Sequence, residues 1–131
     1  MKWESLRIAT SSARKFINMG AFSRLWNLVK KFHAVDIASL MEHLVSRERL
    51  ILFNTLYEKE KEKAAEVLSE LDPEDAADIL KQLPLDQISD IFHMIPSDDA
   101  VPILDLLPEE MKESVLASME KKPSEEVKGL L

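Results

Sequence analysis

The stretch AAEVLSELDPEDAADILKQLPLDQ, residues 64–87, consists of two consecutive blocks of twelve residues that repeat one pattern. In each block the fourth, fifth and eighth positions are large apolar residues, which in the first block are Val67, Leu68 and Leu71. Spacings of three and four residues place side chains on one face of an α-helix. Each block therefore predicts a short amphipathic helix.

The pattern continues downstream and is punctuated by proline. The further blocks are ISDIFHMIPSDD (88–99), AVPILDLLPEEM (100–111) and a degraded KESVLASMEKKP (112–123). Proline follows the eighth position directly or one residue later in four blocks, as Pro73, Pro84, Pro96 and Pro108. Because proline disfavours helix in the preceding residue but suits a first turn, each one predicts a corner. Acidic residues then fall in the new first turn, where the helix dipole favours them.

Helices of about two turns are unstable alone and must stack on one another. The repeats therefore predict an all-α fold, a right- or left-turning, solenoid-like superhelix of short helices with a repeat of about 12 residues. We expect one domain over residues 1–131, with basic amphipathic helices in 1–32 and the superhelix in 33–131.

Upstream of the blocks the pattern is coarser but still helical. A helix is predicted over Trp3–Met19, ended by Gly20, and others over residues 21–32, 35–44 and 47–57. In VDIASLMEHL (35–44) the inward positions are Ile37, Leu40, Met41 and Leu44. EKEKEK (58–63) is expected to be a charged connection or a helix extension.

Charge is distributed unevenly along the chain. The net charge is −7, yet residues 1–31 carry +6, because seven Lys and Arg stand against Glu4 alone. Residues 64–111 carry −12, with thirteen Asp and Glu and a single Lys81. A field of this sign repels nucleic acid and attracts cations or a basic partner.

Residues for enzymatic chemistry lack a suitable context, and we predict that the protein is not an enzyme. There is no cysteine, which excludes disulfides and thiolate metal sites and suits a reducing compartment. His33, His43 and His93 have no zinc-site spacing and are expected at the surface or its boundary. The serines have no nucleophile-elbow context and no phosphate-binding loop occurs. No apolar run reaches the roughly 20 residues of a membrane-spanning helix.

Two interpretations of the basic N-terminal segment stay open. Its aromatic rings are those of Trp3, Phe16, Phe22, Trp26 and Phe32. Together with the Lys and Arg residues they could lie on an anionic membrane surface. The favoured interpretation is that the rings pack inside the first two helices.

The acidic residues of 64–111 also have two interpretations. Such residues commonly form solvated faces and serve helix starts. Alternatively, their carboxylates recruit Mg²⁺, which keeps several waters and needs only one or two protein carboxylates, especially across an interface. No calcium-binding loop motif is present, so any metal site must be assembled from separate blocks or with another domain.

Three segments resemble the N-terminal intracellular domain of the MgtE family of magnesium transporters and channels. They are HAVDIASLMEHL (33–44), KAAEVLSELDPEDAADILKQLP (63–84) and the helix opened by Asp98-Asp99. The resemblance extends over roughly residues 16–130, and Gly20 falls where that family often has glycine. Related short-helix superhelices occur in flagellar motor-switch proteins.

The resemblance implies a regulatory role at the cytoplasmic face of the bacterial inner membrane. In that family a pair of CBS domains, a connecting helix and a transmembrane pore follow this domain, and homodimers form through those later parts. Mg²⁺ binds between the acidic domain and the CBS pair, screens their repulsion and favours a closed pore. When Mg²⁺ is scarce the surfaces separate.

Two residues correspond to the family's acidic positions, Glu66 in AAEVL and Asp98 in SDDAVPIL. The resemblance implies that both contribute to Mg²⁺ binding, shared with the CBS pair. A third acidic position, one turn later, is occupied here by Pro102, which has no ligating side chain. The alternative hypothesis is a helical-repeat scaffold, similar to a flagellar motor-switch protein or a CBS-linked adaptor, that binds a basic partner and has no ion role.

Overall fold

Short helices begin at intervals of twelve residues along most of the chain. The computed structural model describes the backbone of residues 2–130 and the side chains of residues 2–119. Over these residues it contains helices and no strand. The helices are α1 (Trp3–Met19), α2 (Phe22–Val29), α3 (Ala34–Glu42), α4 (Ser46–Lys59), α5 (Lys61–Glu70), α6 (Pro73–Leu80), α7 (Leu85–Met94), α8 (Ser97–Leu104) and α9 (Glu109–Leu130). The prediction of an all-α fold of short helices is confirmed.

The twelve-residue period covers more of the chain than the sequence blocks suggested. Helices α5 to α9 begin at residues 61, 73, 85, 97 and 109, as the blocks predict. Helices α2, α3 and α4 begin at residues 22, 34 and 46, which is the same interval. From α2 onward only the step from α4 to α5 differs, with fifteen residues, because α4 is longer and includes part of EKEKEK. That segment is thus both a helix extension and a junction, broken at Glu60.

The helices form two layers. Each helix from α1 to α7 packs against the next but one along the chain, so that α1, α3, α5, α7 and α9 form one row and α2, α4, α6 and α8 the other. Consecutive helices therefore alternate between layers, and the structural repeat is a pair of helices. This arrangement is the stacked solenoid that helices too short to stand alone require.

The repeated apolar pairs form the core, as predicted. Val67, Leu68, Ile79 and Leu80 are fully buried, and Ile91, Phe92, Ile103 and Leu104 are buried as well. The exception is Leu116 of the last block, which is 40% exposed. Helix α9 packs against α7, and no helix among the described residues covers its other side.

The prolines and the glycine end helices where the sequence predicted. Pro73 is the first residue of α6, and Pro84, Pro96 and Pro108 each stand immediately before a helix. Gly20 caps α1 with a φ of 69°, a left-handed conformation that glycine adopts without strain. Pro102 lies inside α8, which continues to Leu104.

Helix α1 is held to the repeats by an ion pair between the exposed Arg14 and the buried Glu48. Arg14 Nε donates to Glu48 Oε2 at 3.0 Å, and its Nη2 donates to the His43 carbonyl at 2.9 Å. Glu48, whose side chain is only 4% exposed, also accepts the Val45 N–H at 3.0 Å at the start of α4. Burial alone would raise the pKa of the Glu48 carboxyl, but the Val45 N–H and the Arg14 guanidinium outweigh it and hold that pKa below its ordinary value.

The prediction that the N-terminal rings pack inside is wrong for two of them. Phe16, Trp26 and Phe32 are partly buried against the core, as expected. Trp3 and Phe22 are exposed. Each is the first residue of its helix, and the buried positions of that helix begin only further along, at Ala9 in α1 and Leu25 in α2.

Candidate functional site

Glu66 lies in the middle of α5 and points away from the core. Its neighbours Ala65 and Val67 are buried, while Glu66 itself is exposed. Glu62 and Glu70, one turn before and one turn after it, are exposed too. We call these three residues the acidic stripe. Glu62 lies in the first turn, where the helix dipole favours it. Like charges four residues apart destabilise a helix slightly, so α5 gains nothing from Glu66 and Glu70.

The acidic stripe borders two shallow cavities. One, of about 300 Å³, lies between α5 and the end of α7 and is lined by Glu66, Ser69, Glu70, Met94 and Pro96. The other, of 260 Å³, lies between α5 and the start of α3, and Glu62 and Glu66 are among its lining residues. Glu66 is thus the acid that both cavities share.

Asp98 is the second residue of α8 and is exposed. It lies two residues after Pro96, which lines the 300 Å³ cavity beside Glu66. The structure therefore brings the start of α8 to the edge of the cavity that Glu66 borders, while the Asp98 side chain is not part of the cavity wall. The two predicted residues belong to neighbouring parts of one surface.

Pro102 changes the backbone as well as the side chain at the third position. In an α-helix the N–H of residue 102 would donate to the carbonyl of Asp98, four residues earlier. Proline has no N–H, so this carbonyl loses its usual donor. The proline ring also lies against that carbonyl, so position 102 supplies no metal ligand in place of an acid.

Two acidic side chains of α6 have ion-pair partners in the described part of the chain, whereas those of this surface do not. Asp75 and Asp78 of α6 lie 3.5 Å and 3.8 Å from the Arg49 guanidinium, and Asp78 also accepts a hydrogen bond from the Ser46 hydroxyl. Among the described side chains, Glu66, Glu70 and Asp98 have no ion pair or hydrogen bond. Their charge is therefore available to something outside the described residues.

One polar atom of this surface was not predicted from the sequence. The Ser69 hydroxyl, on the wall of the 300 Å³ cavity, is buried without a hydrogen-bond partner among the described residues. A serine one residue from an apolar pair gives no sequence signal, because serine at such a position is common on helices.

The donor set suits Mg²⁺ only in part. Carboxylate and carbonyl oxygens are the hard ligands that Mg²⁺ prefers, and it keeps several waters while bound by one or two carboxylates. Among the described residues, however, no three His, Asp or Glu side chains converge into a metal site. His33, His43 and His93 are exposed, at the surface as predicted. The surface therefore fits part of a Mg²⁺ site and not a complete one.

A comparison with protein families identifies the fold's relatives. The model of the MgtE intracellular N domain matches residues 32–131. The chain belongs to this family. The resemblance read from the sequence is confirmed: the family is that of the cytoplasmic domains of MgtE magnesium transporters, a transporter family rather than an enzyme family.

The matched segment starts just before α3, so α1 and α2 precede it. Searches of curated proteins and of solved structures gave no match. Within the described part of the chain, no helix is both long and apolar enough to cross a membrane. Full-length MgtE proteins also carry a transmembrane pore.

Proposed function

We propose that this domain is the regulatory Mg²⁺ sensor of an MgtE-like magnesium transporter or channel, located at the cytoplasmic face of the bacterial inner membrane. The observation that carries the proposal is the uncompensated acidic surface formed by Glu66 and Glu70 beside the start of α8 at Asp98. This domain supplies part of each ion site, and a pair of CBS domains supplies the rest.

The acidic surface acts as a switch because its charge repels a second acidic surface. Without Mg²⁺, uncompensated carboxylates such as Glu66 oppose close approach of the CBS pair. When Mg²⁺ binds between the two surfaces it stabilises only the closed arrangement, since only there are both sets of ligands present. The ion therefore shifts the population toward that arrangement and toward a closed pore.

Glu66 and Asp98 have separate roles in this proposal. Glu66 lies between two cavities and provides a carboxylate that the helix does not need. Asp98 provides a carboxylate at the exposed start of α8.

The test is the Mg²⁺ dependence of compaction. This domain joined to its CBS pair is titrated with Mg²⁺ while small-angle X-ray scattering measures the radius of gyration. The wild-type protein is expected to become more compact, and Glu66→Ala with Asp98→Ala is expected to abolish the change. Asp86→Ala is the control, because Asp86, like Asp98, is an exposed first-turn acid but lies about 12 Å along α7 from Met94.

Unchanged compaction in the Glu66→Ala/Asp98→Ala variant would show that these residues are not ligands. The acidic surface would then fit the second candidate function, a helical-repeat scaffold that binds a basic protein surface directly. The observation that favours the scaffold is that no complete metal site is formed among the described residues. Binding of such a partner would not require Mg²⁺ and would weaken as salt is added.

A further inference from the structure

The N-terminal helices carry positive charge that the fold does not neutralise. All seven Lys and Arg of residues 1–31 are exposed. Arg14 is paired with Glu48, but no ion pair joins Lys15, Arg24 or Lys31 to a carboxylate among the described residues. Arg7 contacts an aromatic ring instead, with its guanidinium 5.6 Å from the centre of the Trp3 ring.

The same helices expose large apolar side chains. Trp3 is 69%, Ile8 63%, Met19 59% and Phe22 49% exposed. Ile8, Lys15 and Met19 follow one another at spacings of seven and four residues, so they lie along one line of α1. Trp3 and Arg7, one turn apart, lie roughly 100–140° around α1 from that line, on the same side as Arg14. We call Trp3, Arg7, Ile8, Lys15, Met19 and Phe22 the basic face.

This combination of side chains fits an anionic lipid surface. Aliphatic and aromatic side chains enter the boundary between headgroups and acyl chains, while Lys and Arg contact the anionic headgroups. Tryptophan, the most exposed of these apolar residues, favours this boundary because its ring is both apolar and polar. The only acidic residue of α1 is Glu4.

A protein partner fits the face less well. The core of a protein interface is a contiguous apolar patch from which charged residues are depleted. On the basic face the apolar residues are interleaved with basic ones, as Lys15 lies between Ile8 and Met19 on one line of α1. The acidic half of a second copy would match the charge, but it gives no reason for these apolar side chains to be exposed.

We propose that the basic face of α1 and the start of α2 docks on an anionic membrane surface. The face lies outside residues 32–131, the segment matched by the family, and its role does not depend on the Mg²⁺ function proposed above. The helices stay folded on the protein through the Arg14–Glu48 pair, so docking uses the outer side of α1 without unfolding it.

The test uses the 131-residue chain and sedimentation with vesicles. Vesicles of phosphatidylglycerol mixed with phosphatidylcholine should carry the protein down, whereas pure phosphatidylcholine should not. Arg7→Glu with Lys15→Glu is expected to weaken partitioning at least about tenfold, since each basic residue near an anionic surface contributes substantially. Lys61→Glu with Lys81→Glu is the control, because it makes the same change in net charge at exposed positions of α5 and the end of α6.

The apolar contribution is tested separately. Ile8→Ser with Met19→Ser is expected to weaken partitioning, while Val101→Ser with Leu106→Ser, at exposed apolar positions of the acidic half, should leave it unchanged. Circular dichroism checks that every variant is folded. Equal partitioning of the Arg7→Glu/Lys15→Glu variant and its control would overturn the proposal. So would salt-sensitive self-association without vesicle binding, which would assign the face to the acidic half of a second copy.

Discussion

The basic N-terminal helices and the acidic repeats are built in the same way but carry opposite charge. Helix α2 has the register of α5 to α8, and Leu28, Val29 and Phe32 occupy its fourth, fifth and eighth block positions, buried or partly buried against the core. Yet residues 1–31 carry +6 and residues 64–111 carry −12. The buried pattern is shared, whereas the exposed positions differ completely.

This comparison distinguishes the residues that stabilise the fold from the exposed charges that do not. Buried aliphatic residues, prolines at helix starts and a few ion pairs such as Arg14–Glu48 hold the helices together. Most exposed charges in both regions have no such partner. We infer that stability depends on the shared buried pattern, whereas the basic and the acidic surface serve binding.

The largest expected effect comes from removing a buried leucine in either region. Leu25→Ala in α2 and Leu68→Ala in α5 remove side chains that are fully buried. Each should lower the free energy of unfolding by about 2–5 kcal/mol, because apolar contacts are lost and a cavity remains. Urea denaturation measures both. Suppose that Leu68→Ala is strongly destabilising but Leu25→Ala lowers the free energy of unfolding by less than about 1 kcal/mol, as a surface substitution does. That result would show that α2 is not part of the same core.

Removing Arg14 should have the next largest effect. Arg14→Ala leaves the buried carboxylate of Glu48 with only the Val45 N–H, and we expect a loss of about 1–3 kcal/mol, since Arg14 itself is 45% exposed. Arg7→Ala is the control, because Arg7 is equally basic and exposed but pairs with no carboxylate. Denaturant midpoints that shift equally in the two variants would contradict a specific role for the ion pair.

The same pair predicts a dependence of stability on pH. Because the pKa of Glu48 is lower in the folded protein than its ordinary value of 4.5, its contribution is present above that value. The contribution is lost as the pH falls from 4.5 through the lower folded-state pKa. Glu48→Gln should therefore flatten the fall of the unfolding free energy in acid. If the free energy of unfolding falls as steeply with decreasing pH in Glu48→Gln as in the wild type, other carboxylates cause the loss of stability in acid.

The smallest expected effect on stability is that of the candidate ligands. Glu66→Ala and Asp98→Ala alter exposed side chains with no described partner, so each should change the free energy of unfolding by less than about 0.5 kcal/mol. The measurement is the same denaturation as for Leu68→Ala, a buried position two residues from Glu66 in the same helix. A loss of several kcal/mol for Glu66→Ala would mean that the acid is structural.

Much of the fold could be predicted from the sequence because it rests on local pattern. The apolar pairs and prolines located α5 to α8, and Gly20 located the end of α1. The sequence predicted helices at α2 and α4 but not that they share the twelve-residue period, because three extra residues at the end of α4 interrupt it. With that insertion allowed, Leu52, Phe53 and Leu56 occupy the same three apolar positions.

The candidate site could be predicted only as single residues. Glu66 and Asp98 were chosen by resemblance to a family, and nothing local reveals that α5 and the start of α8 share one cavity edge. Their approach depends on the stacking of α5 on α7, a contact between residues far apart in sequence. The exposure of Trp3 was missed for the related reason that a helical pattern does not tell which of its residues extend past the neighbouring helices.

The central claim is that the charge of the acidic surface keeps it apart from the CBS pair until a cation intervenes. Glu66→Lys tests it most directly, because a fixed positive charge then stands where the ion would bind. Scattering of the domain joined to its CBS pair should show the compact form without Mg²⁺ in this variant, while the control Asp86→Lys should still require Mg²⁺. A Glu66→Lys protein that stays extended without Mg²⁺ and becomes compact with it, as the wild type does, would contradict the account.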